Sequence, residues 1–133
     1  MTEIKKYSIP VELRFADLDA YGHVNNAVYF TLLETARTKL FHDKFIEFMG
    51  QSLLFLVAKA ECEYKLPIGL DDVMIITLEI ARVGNSSFDI DYVLHNGDGK
   101  LFGLAKTVMV CYDGKAKKPT RIPKSLKQMM LAD

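Results

Sequence analysis

Apolar and polar residues alternate along much of the second half of the chain. In the segment "VAKAECEYKL" at 57–66, one face carries only uncharged side chains and the other carries charged ones. The uncharged face holds Ala58, Ala60, Cys62, Tyr64 and Leu66. A period of two predicts a half-buried β-strand. The segments at 72–83, 87–95 and 100–112 show similar patterns and predict three more strands.

The connections between these strands predict their direction. The sequences "GNSS" at 84–87 and "NGDG" at 96–99 separate the last three strands. Glycine and asparagine favour the positive φ angles of tight hairpin turns. Strands joined by such turns are antiparallel.

A different period precedes these strands. No glycine or proline occurs between residues 26 and 48, and apolar residues recur there at helical spacing. They are Tyr29, Leu32, Leu33, Ala36, Leu40, Phe41 and Phe45. The pattern predicts a helix about 33 Å long that stops at Gly50. A strand is predicted before it at 7–15, with Ile9, Val11, Leu13 and Phe15 on one face, and a short helix after the last strand at 122–130.

The element order predicts an α+β fold in one domain spanning residues 1–133. Strands of twelve residues are about as long as the predicted helix, so a twisted five-stranded antiparallel sheet could wrap around it. Such a sheet leaves long edge strands open, and proteins seldom leave these unprotected. We therefore expect a homodimer, or a homotetramer built from two dimers, with edge strands pairing between subunits.

Composition and charge narrow the function classes. Half of the residues are hydrophobic, and 17 basic residues balance 17 acidic ones. This balance argues against nucleic-acid binding, which needs a clustered basic surface. No apolar run is long enough for a signal peptide or a membrane span. Two cysteines outside any CxxC pair favour reduced thiols and a cytoplasmic location.

The most distinctive segment is "RFADLDAYGHVNNAVYF", which begins at Arg14 and ends at Phe30. It places two aspartates, a glycine, a histidine and two asparagines between the first strand and the helix. This segment resembles the signature of the 4-hydroxybenzoyl-CoA thioesterase-like family of acyl-CoA thioesterases, and the element order matches their hotdog fold. The resemblance implies that Asp19 is the catalytic carboxylate and that a backbone N–H near Asn26 polarises the thioester carbonyl.

The chemistry of these residue types agrees with that implication. Thioester hydrolysis needs a group that activates or becomes the nucleophile and a donor that stabilises the developing oxyanion. A loop carboxylate and the unpaired N–H groups at a helix start supply both. Gly22 permits a sharp turn and close approach of a ligand. No cofactor and no metal site is expected.

Several residues have competing interpretations. His23 resembles a catalytic histidine of acyl-carrier-protein thioesterases, but their later glutamate would fall near Leu66 and Pro67, so the acyl-CoA branch is favoured. Asp17 is interpreted as a surface charge that could share a face with Asp19. Either Asn25 or Asn26 could be the helix N-cap.

The remaining candidates are assigned to substrate binding. Tyr29 is expected in the core beside the substrate, and Glu34, three residues before Arg37, is either an ion-pair partner or a reserve base. Lys65, Arg82 and the basic segment at 115–121 are candidates for the phosphates of coenzyme A on charge alone.

Other functions remain open on the same scaffold. The alternatives are a non-catalytic module that binds acyl-CoA or another hydrophobic ligand, an acyl-carrier-protein thioesterase, and a hydroxyacyl dehydratase. Fold by itself does not select among them.

Overall fold

The computed structural model describes residues 6–131, which form an antiparallel sheet, one long helix and one short helix. The strands are β1 (Lys6–Pro10), β2 (Leu53–Tyr64), β3 (Ile75–Val83), β4 (Ser87–His95), β5 (Leu101–Asp113) and β6 (Lys118–Pro119). The helices are α1 (Val28–Met49) and α2 (Lys124–Met130). The first five residues, which entered the argument about a signal peptide, lie outside the described residues.

The five long strands follow the order β1-β3-β4-β5-β2, and all neighbouring pairs are antiparallel. The two predicted hairpins connect β3 to β4 and β4 to β5. The turn at 96–99 has Gly97 and Gly99 at positive φ, as its sequence predicted. The sixth strand, β6, has two residues that pair with the end of β5, and the sequence did not predict it.

Helix α1 lies against one face of the sheet and supplies much of the core. The predicted apolar positions are buried, apart from Leu40 and Phe45, which are partly buried. Strands β3, β4 and β5 bury alternate residues against this helix, among them Leu78, Ile90 and Met109. Burying one such side chain stabilises the fold by roughly 1.5–3 kcal/mol. The side of α1 away from the sheet is exposed, so one chain does not enclose the helix.

The first predicted strand is wrong beyond its start. Strand β1 ends at Pro10, and residues 15–17 form a 3-10 helix instead of continuing the strand. The Asp17 carboxylate accepts a hydrogen bond from the Arg14 backbone N–H at 2.8 Å, which closes this turn. Phe15 was expected in the core but is 81% exposed, because the turn points it away from the sheet.

Strand β2 is an edge strand whose inward face is largely uncovered. The predicted alternation of buried and exposed residues is not seen: residues 56–61 are all exposed. A bulge between Val57 and Lys59 also shifts the register, so Val57 shares the inward face with Ala60. Val57 is 44% exposed although β5 buries its neighbouring positions. The chain therefore presents a long strand edge with apolar residues on it, the feature that proteins usually cover.

Candidate active site

The segment that contains Asp19 folds into a very small hairpin between β1 and α1. The Asp19 N–H donates to the His23 carbonyl at 2.8 Å, and the Asn25 N–H donates to the Asp17 carbonyl at 2.9 Å. Between these two bonds, Leu18 and Val24 form an isolated bridge. The chain reverses at Gly22, whose φ of +79° strains any other residue.

A second segment holds this hairpin from the other side. The Val24 N–H donates to the Ile68 carbonyl at 2.8 Å, and His23 forms an isolated bridge with Gly69. The Gly69 N–H in turn donates to the Asp72 carboxylate at 2.7 Å. Asp72 also pairs with Lys100 at 3.2 Å. The Asp19 loop is thus fixed to the chain that leads from β2 into β3.

Asp17 fixes the base of the hairpin. Its side chain is 3% exposed and accepts hydrogen bonds from Arg14 Nη2 at 2.8 Å and Nε at 3.2 Å, besides the backbone bond described above. Burial alone would raise the pKa of Asp17, but these bonds outweigh it and the pKa is lowered. The interpretation of Asp17 as a surface charge is therefore wrong. A pair "RxxD" that crosses a turn was the sequence signal for this role.

We expect the Asp17→Asn substitution to destabilise the fold by about 2 kcal/mol at neutral pH, since it weakens three hydrogen bonds to a buried group. The folded pKa of Asp17 lies below the ordinary value of 3.8. Its contribution is thus complete above pH 3.8 and is lost as pH falls through the folded value. Chemical unfolding as a function of pH should show the wild type and the variant converging in acid. The exposed Asp71→Asn is the control and should follow the wild type; a constant gap at all pH values would contradict this role.

The Asp19 residue is half-buried, and one oxygen of its carboxylate points into the loop that contains it. Oδ1 accepts hydrogen bonds from the N–H groups of Tyr21 at 2.9 Å and His23 at 3.3 Å. Among the described residues, Oδ2 has no hydrogen-bond partner. One oxygen therefore holds the turn, and the other is left for a water molecule or a ligand.

The Asn26 N–H, two residues before α1 begins, has no acceptor among the described residues. Two peptide groups flank this residue, with four backbone polar groups. The Asn25 carbonyl accepts from Val28 N–H at 2.8 Å, and the Ala27 N–H donates to Asn25 Oδ1 at 2.9 Å. The Asn26 carbonyl accepts from Tyr29 N–H at 3.3 Å and from the Tyr64 hydroxyl at 3.0 Å.

Of these four backbone groups around Asn26, the N–H of Asn26 is the one without a partner in the part of the chain that the structure describes. It lies on an exposed residue next to the positive end of the dipole of α1. A donor that is free, exposed and held by its neighbours can bind an oxyanion. The prediction that Asn25 or Asn26 is the helix N-cap is wrong: the N-cap is Ala27, which has no side-chain capping bond, and the Asn25 side chain instead accepts a turn bond from the Ala27 N–H.

Two tyrosines and a cysteine pack behind the helix start. The rings of Tyr29 and Tyr64 meet edge to face, with centroids 4.7 Å apart. Burial, followed by the nearby Cys62 and Tyr64, raises the pKa of Tyr29 to about 12. Burial also raises the pKa of the Cys62 thiol, which argues against a thiolate nucleophile there. Tyr29 is 2% exposed, so in a single chain it supports the helix start from within the core.

The other predicted site residues are spread over the molecule. His23 is exposed and adjoins Asp19. Lys65 follows β2 and pairs with Glu63 at 2.7 Å. Glu34 is exposed and lies 3.8 Å from the buried Arg37. Arg82 pairs with Asp89 at 3.0 Å near the β3–β4 turn, at the opposite end of the sheet from Asp19.

Sequence reasoning missed the residues that hold the site in place. Arg14 and Asp72 were not singled out, and Tyr64 was assigned only to the inward face of a strand. Because Tyr64 is 43% exposed, the tendency of buried tyrosine hydroxyls to find partners gave no signal for it. The partner itself depends on where α1 meets β2, and no local pattern encodes that.

The described residues contain neither a cluster of metal ligands nor a helix that could span a membrane. No group of three or more His, Cys, Asp or Glu side chains among residues 6–131 comes together as metal ligands would. Neither helix in the same range has the length and apolar character required to cross a bilayer.

Comparisons with known proteins agree with the geometry. The model of the thioesterase-like superfamily matches residues 13–130. YbgC of Escherichia coli, an acyl-CoA thioester hydrolase, is 33% identical over 120 residues, which are 88% of this chain and 90% of YbgC. The long-chain acyl-CoA thioesterase FadM of Escherichia coli is 28% identical over 123 residues, which are 90% of this chain and 93% of FadM.

Solved structures show the same architecture. A thioesterase from Thermus thermophilus, crystallised with coenzyme A and zinc, has a TM-score of 0.78 at 29% identity, with 92% of this chain and 90% of that chain covered. A 1,4-dihydroxy-2-naphthoyl-CoA thioesterase from Synechocystis has a TM-score of 0.86 at 16% identity, with coverages of 95% and 96%, and supports the fold alone. The hotdog fold is confirmed. This chain belongs to the thioesterase-like superfamily.

Proposed function

We propose that this protein hydrolyses acyl-CoA thioesters with the Asp19 carboxylate and the Asn26 N–H as its reacting groups. That it is an acyl-CoA thioesterase follows from its family together with relatives that are acyl-CoA thioester hydrolases over nearly their whole length. The observation that supports the residue assignment is the exposed Asn26 N–H, which has no acceptor among the described residues and directly follows the hairpin that holds the free Oδ2 of Asp19.

The proposed reaction uses these two groups in different ways. The thioester carbonyl oxygen accepts a hydrogen bond from the Asn26 N–H, which stabilises the negative charge of the tetrahedral intermediate. The Asp19 Oδ2 either takes a proton from the attacking water or attacks the carbonyl carbon to form an anhydride, which a water molecule then hydrolyses to the free acid and the restored Asp19 carboxylate. The thiolate of coenzyme A leaves and is protonated, and the product is the free acid. His23, on the exposed rim beside Asp19, is proposed to assist proton transfer.

The site adjoins the open edge of β2, and we propose that a second copy of the chain completes it. Tyr64, the last residue of β2, contacts the helix start, so a strand paired with β2 would pass next to the site. Antiparallel self-pairing centred on Ala60 places Lys59 opposite Glu61 of the other copy, twice by symmetry. Pairing centred on Lys59 or Glu61 would set that residue opposite its own copy. The Glu61-centred register also sets Lys59 opposite Glu63, but the Ala60-centred one gains two opposite-charge pairs with no like-charge pair.

This register also places an apolar surface beside the site. Because Ala58 is the extra residue of the bulge, this register sets Phe55 of the second copy opposite Tyr64 of the first, on the same inward face. Phe55 lines an apolar cavity of about 300 Å³ between the second half of α1 and the start of β2. The acyl group is proposed to enter this cavity of the second copy, with Ile46 and Met49 among the residues it would cover. Lys65 is the nearest of the proposed cations for the phosphates of coenzyme A.

The function is tested by release of free thiol from a panel of acyl-CoAs and from the matching acyl groups on acyl carrier protein. Turnover of acyl-CoA supports the proposal. Turnover of only the carrier-protein substrates would replace it with the acyl-carrier-protein alternative. If acyl-CoA raises the melting temperature but is not cleaved, the binding-module alternative is correct. Loss of water from a 3-hydroxyacyl-CoA would support the dehydratase alternative.

The free cysteines Cys62 and Cys111 support a reducing, cytoplasmic location.

Dimerisation through β2 predicts a charge-swap result. Lys59→Glu opposes two like-charged pairs in the proposed register, so we expect the dimer dissociation constant to rise about tenfold. Adding Glu61→Lys restores opposite charges and should restore the dimer. Sedimentation equilibrium measures the dissociation constants of the single and the double variant. A mass of four chains would identify the tetramer. A double variant that dissociates as readily as the single one would contradict this register.

A further inference from the structure

The hydroxyl of Tyr64 joins the edge strand to the start of the helix. It donates to the Asn26 carbonyl at 3.0 Å across a sequence separation of 38 residues. Burial raises the pKa of Tyr64, so the group remains a protonated donor over the working pH range of most enzymes. Among the bonds of the two peptide groups around Asn26, it alone comes from outside the local chain, since the others join residues 25–29.

We propose that Tyr64 is a positioning residue for thioester hydrolysis: its hydrogen bond to the Asn26 carbonyl holds the peptide group after Asn26, and this restrains the Asn26 backbone so that the N–H on the preceding peptide group stays directed toward the substrate oxygen. This inference rests on the proposed function of Asn26. It assigns a catalytic consequence to a side chain that touches neither the reacting atoms nor coenzyme A.

The need for such a restraint follows from where Asn26 lies. Helix α1 begins at Val28, so the peptide groups around Asn26 precede the helical hydrogen-bond ladder. Hydrogen bonds between residues close in sequence hold these peptide groups. The one from the Tyr29 N–H to the Asn26 carbonyl is long, at 3.3 Å. Strand β2 is a firmer anchor because it pairs with β5 along its whole length. Stabilisation of an oxyanion depends on donors whose direction is fixed before the reaction.

The surroundings of Tyr64 make room for this contact. Its cross-strand partner on β5 is Gly103. A Cβ atom at Gly103 would lie 3.0 Å from the Glu63 carbonyl oxygen and 3.9 Å from the Tyr29 ring. The distance to the Tyr29 ring is an ordinary contact, but that to the Glu63 carbonyl is tight, so a side chain at Gly103 would press on the backbone of β2 next to Tyr64.

The test is the substitution Tyr64→Phe, which removes the hydroxyl and keeps the ring that packs on Tyr29. This substitution leaves the oxyanion donor in place but lets its direction vary, so kcat should fall about five- to twentyfold. Complete removal of such a donor lowers kcat by about 10²- to 10³-fold. Binding of the unreactive thioether analogue of the best acyl-CoA should stay unchanged, because this analogue has no carbonyl oxygen. The inhibition constant of the trifluoromethyl ketone analogue, whose adduct resembles the oxyanion, should rise by the same factor as kcat/KM falls.

The control is Tyr7→Phe. The Tyr7 hydroxyl also donates to a backbone carbonyl, that of Met129 at 3.4 Å, but it lies on β1 at the other edge of the sheet. This variant should match the wild type in all three measurements. The proposal is overturned if Tyr64→Phe keeps the wild-type kcat, or if it weakens the thioether analogue as much as it lowers kcat, since the second result would indicate a binding or general structural role.

The same assay tests the proposed function separately, through the variant Asp19→Asn. If Asp19→Asn retains turnover, the proposed function fails whatever Tyr64→Phe does. If Asp19→Asn is inactive and Tyr64→Phe is unaffected, the proposed function stands and the inference about Tyr64 fails.

Discussion

Asp19→Asn should lower kcat/KM for the best acyl-CoA by about 10²- to 10⁴-fold, the range that a positioned acid or base contributes. The amide keeps an oxygen that can accept the N–H bonds of Tyr21 and His23, so the turn is retained. It cannot take a proton from water or form an anhydride. The substitution therefore separates the chemistry of Asp19 from its role in the loop.

Asp19→Ala is the companion variant, since it removes both the chemistry and the turn bonds. Equal loss in both variants assigns the effect to the carboxylate. Near wild-type turnover by a folded Asp19→Asn would show that Asp19 only shapes the loop, and the proposed mechanism would be wrong. A single turnover in ¹⁸O-water, followed by mass spectrometry of the peptide that contains Asp19, then distinguishes an anhydride from general-base attack.

Asn26→Pro should lower kcat by about 10²- to 10³-fold, the measured worth of one oxyanion donor elsewhere. Proline removes the backbone N–H and adds no charge. The position tolerates the ring, because the bond from Val28 N–H to the Asn25 carbonyl makes Asn26 the second residue of a four-residue turn. Proline is favoured there in turns of this type.

Asn26→Ala is the matched control, since it removes the amide side chain and keeps the N–H. It should retain most of the activity. If Asn26→Ala is as impaired as Asn26→Pro while both remain folded, the side chain and not the backbone is the active group. If Asn26→Pro is folded and fully active, the oxyanion donor lies elsewhere. Circular dichroism and thermal unfolding establish folding in both cases.

Asp19 and Asn26 became candidates at the level of the sequence because both lie in one short segment that resembles the signature of a known family, and their roles stay a prediction. The structure adds what each atom does. It assigns Asp19 Oδ1 to the turn, leaves Oδ2 free of partners among the described residues, and makes Ala27 the N-cap of α1, with the Asn25 side chain bonded to its N–H. Asp17 was misassigned because the sequence does not show that its carboxylate turns inward onto Arg14.

The sequence by itself determined the order and type of the main elements, the antiparallel direction of the last three strands and the helix face that enters the core. These properties depend on local periods of two and 3.6 residues and on turn residues, and local patterns are readable without knowing what each element contacts. The strand character of β2 was readable in the same way.

Only the tertiary structure decided which strand lies at the edge, where the first strand stops and which side chain restrains Asn26. Each of these results comes from contacts between residues far apart in the chain, such as Tyr64 with Asn26 and Gly69 with His23. The period of β2 is the same whether or not a neighbour covers it, so its exposure could not be read from its pattern. A hydroxyl that can bond to any nearby carbonyl finds its partner only when helix and sheet have packed together.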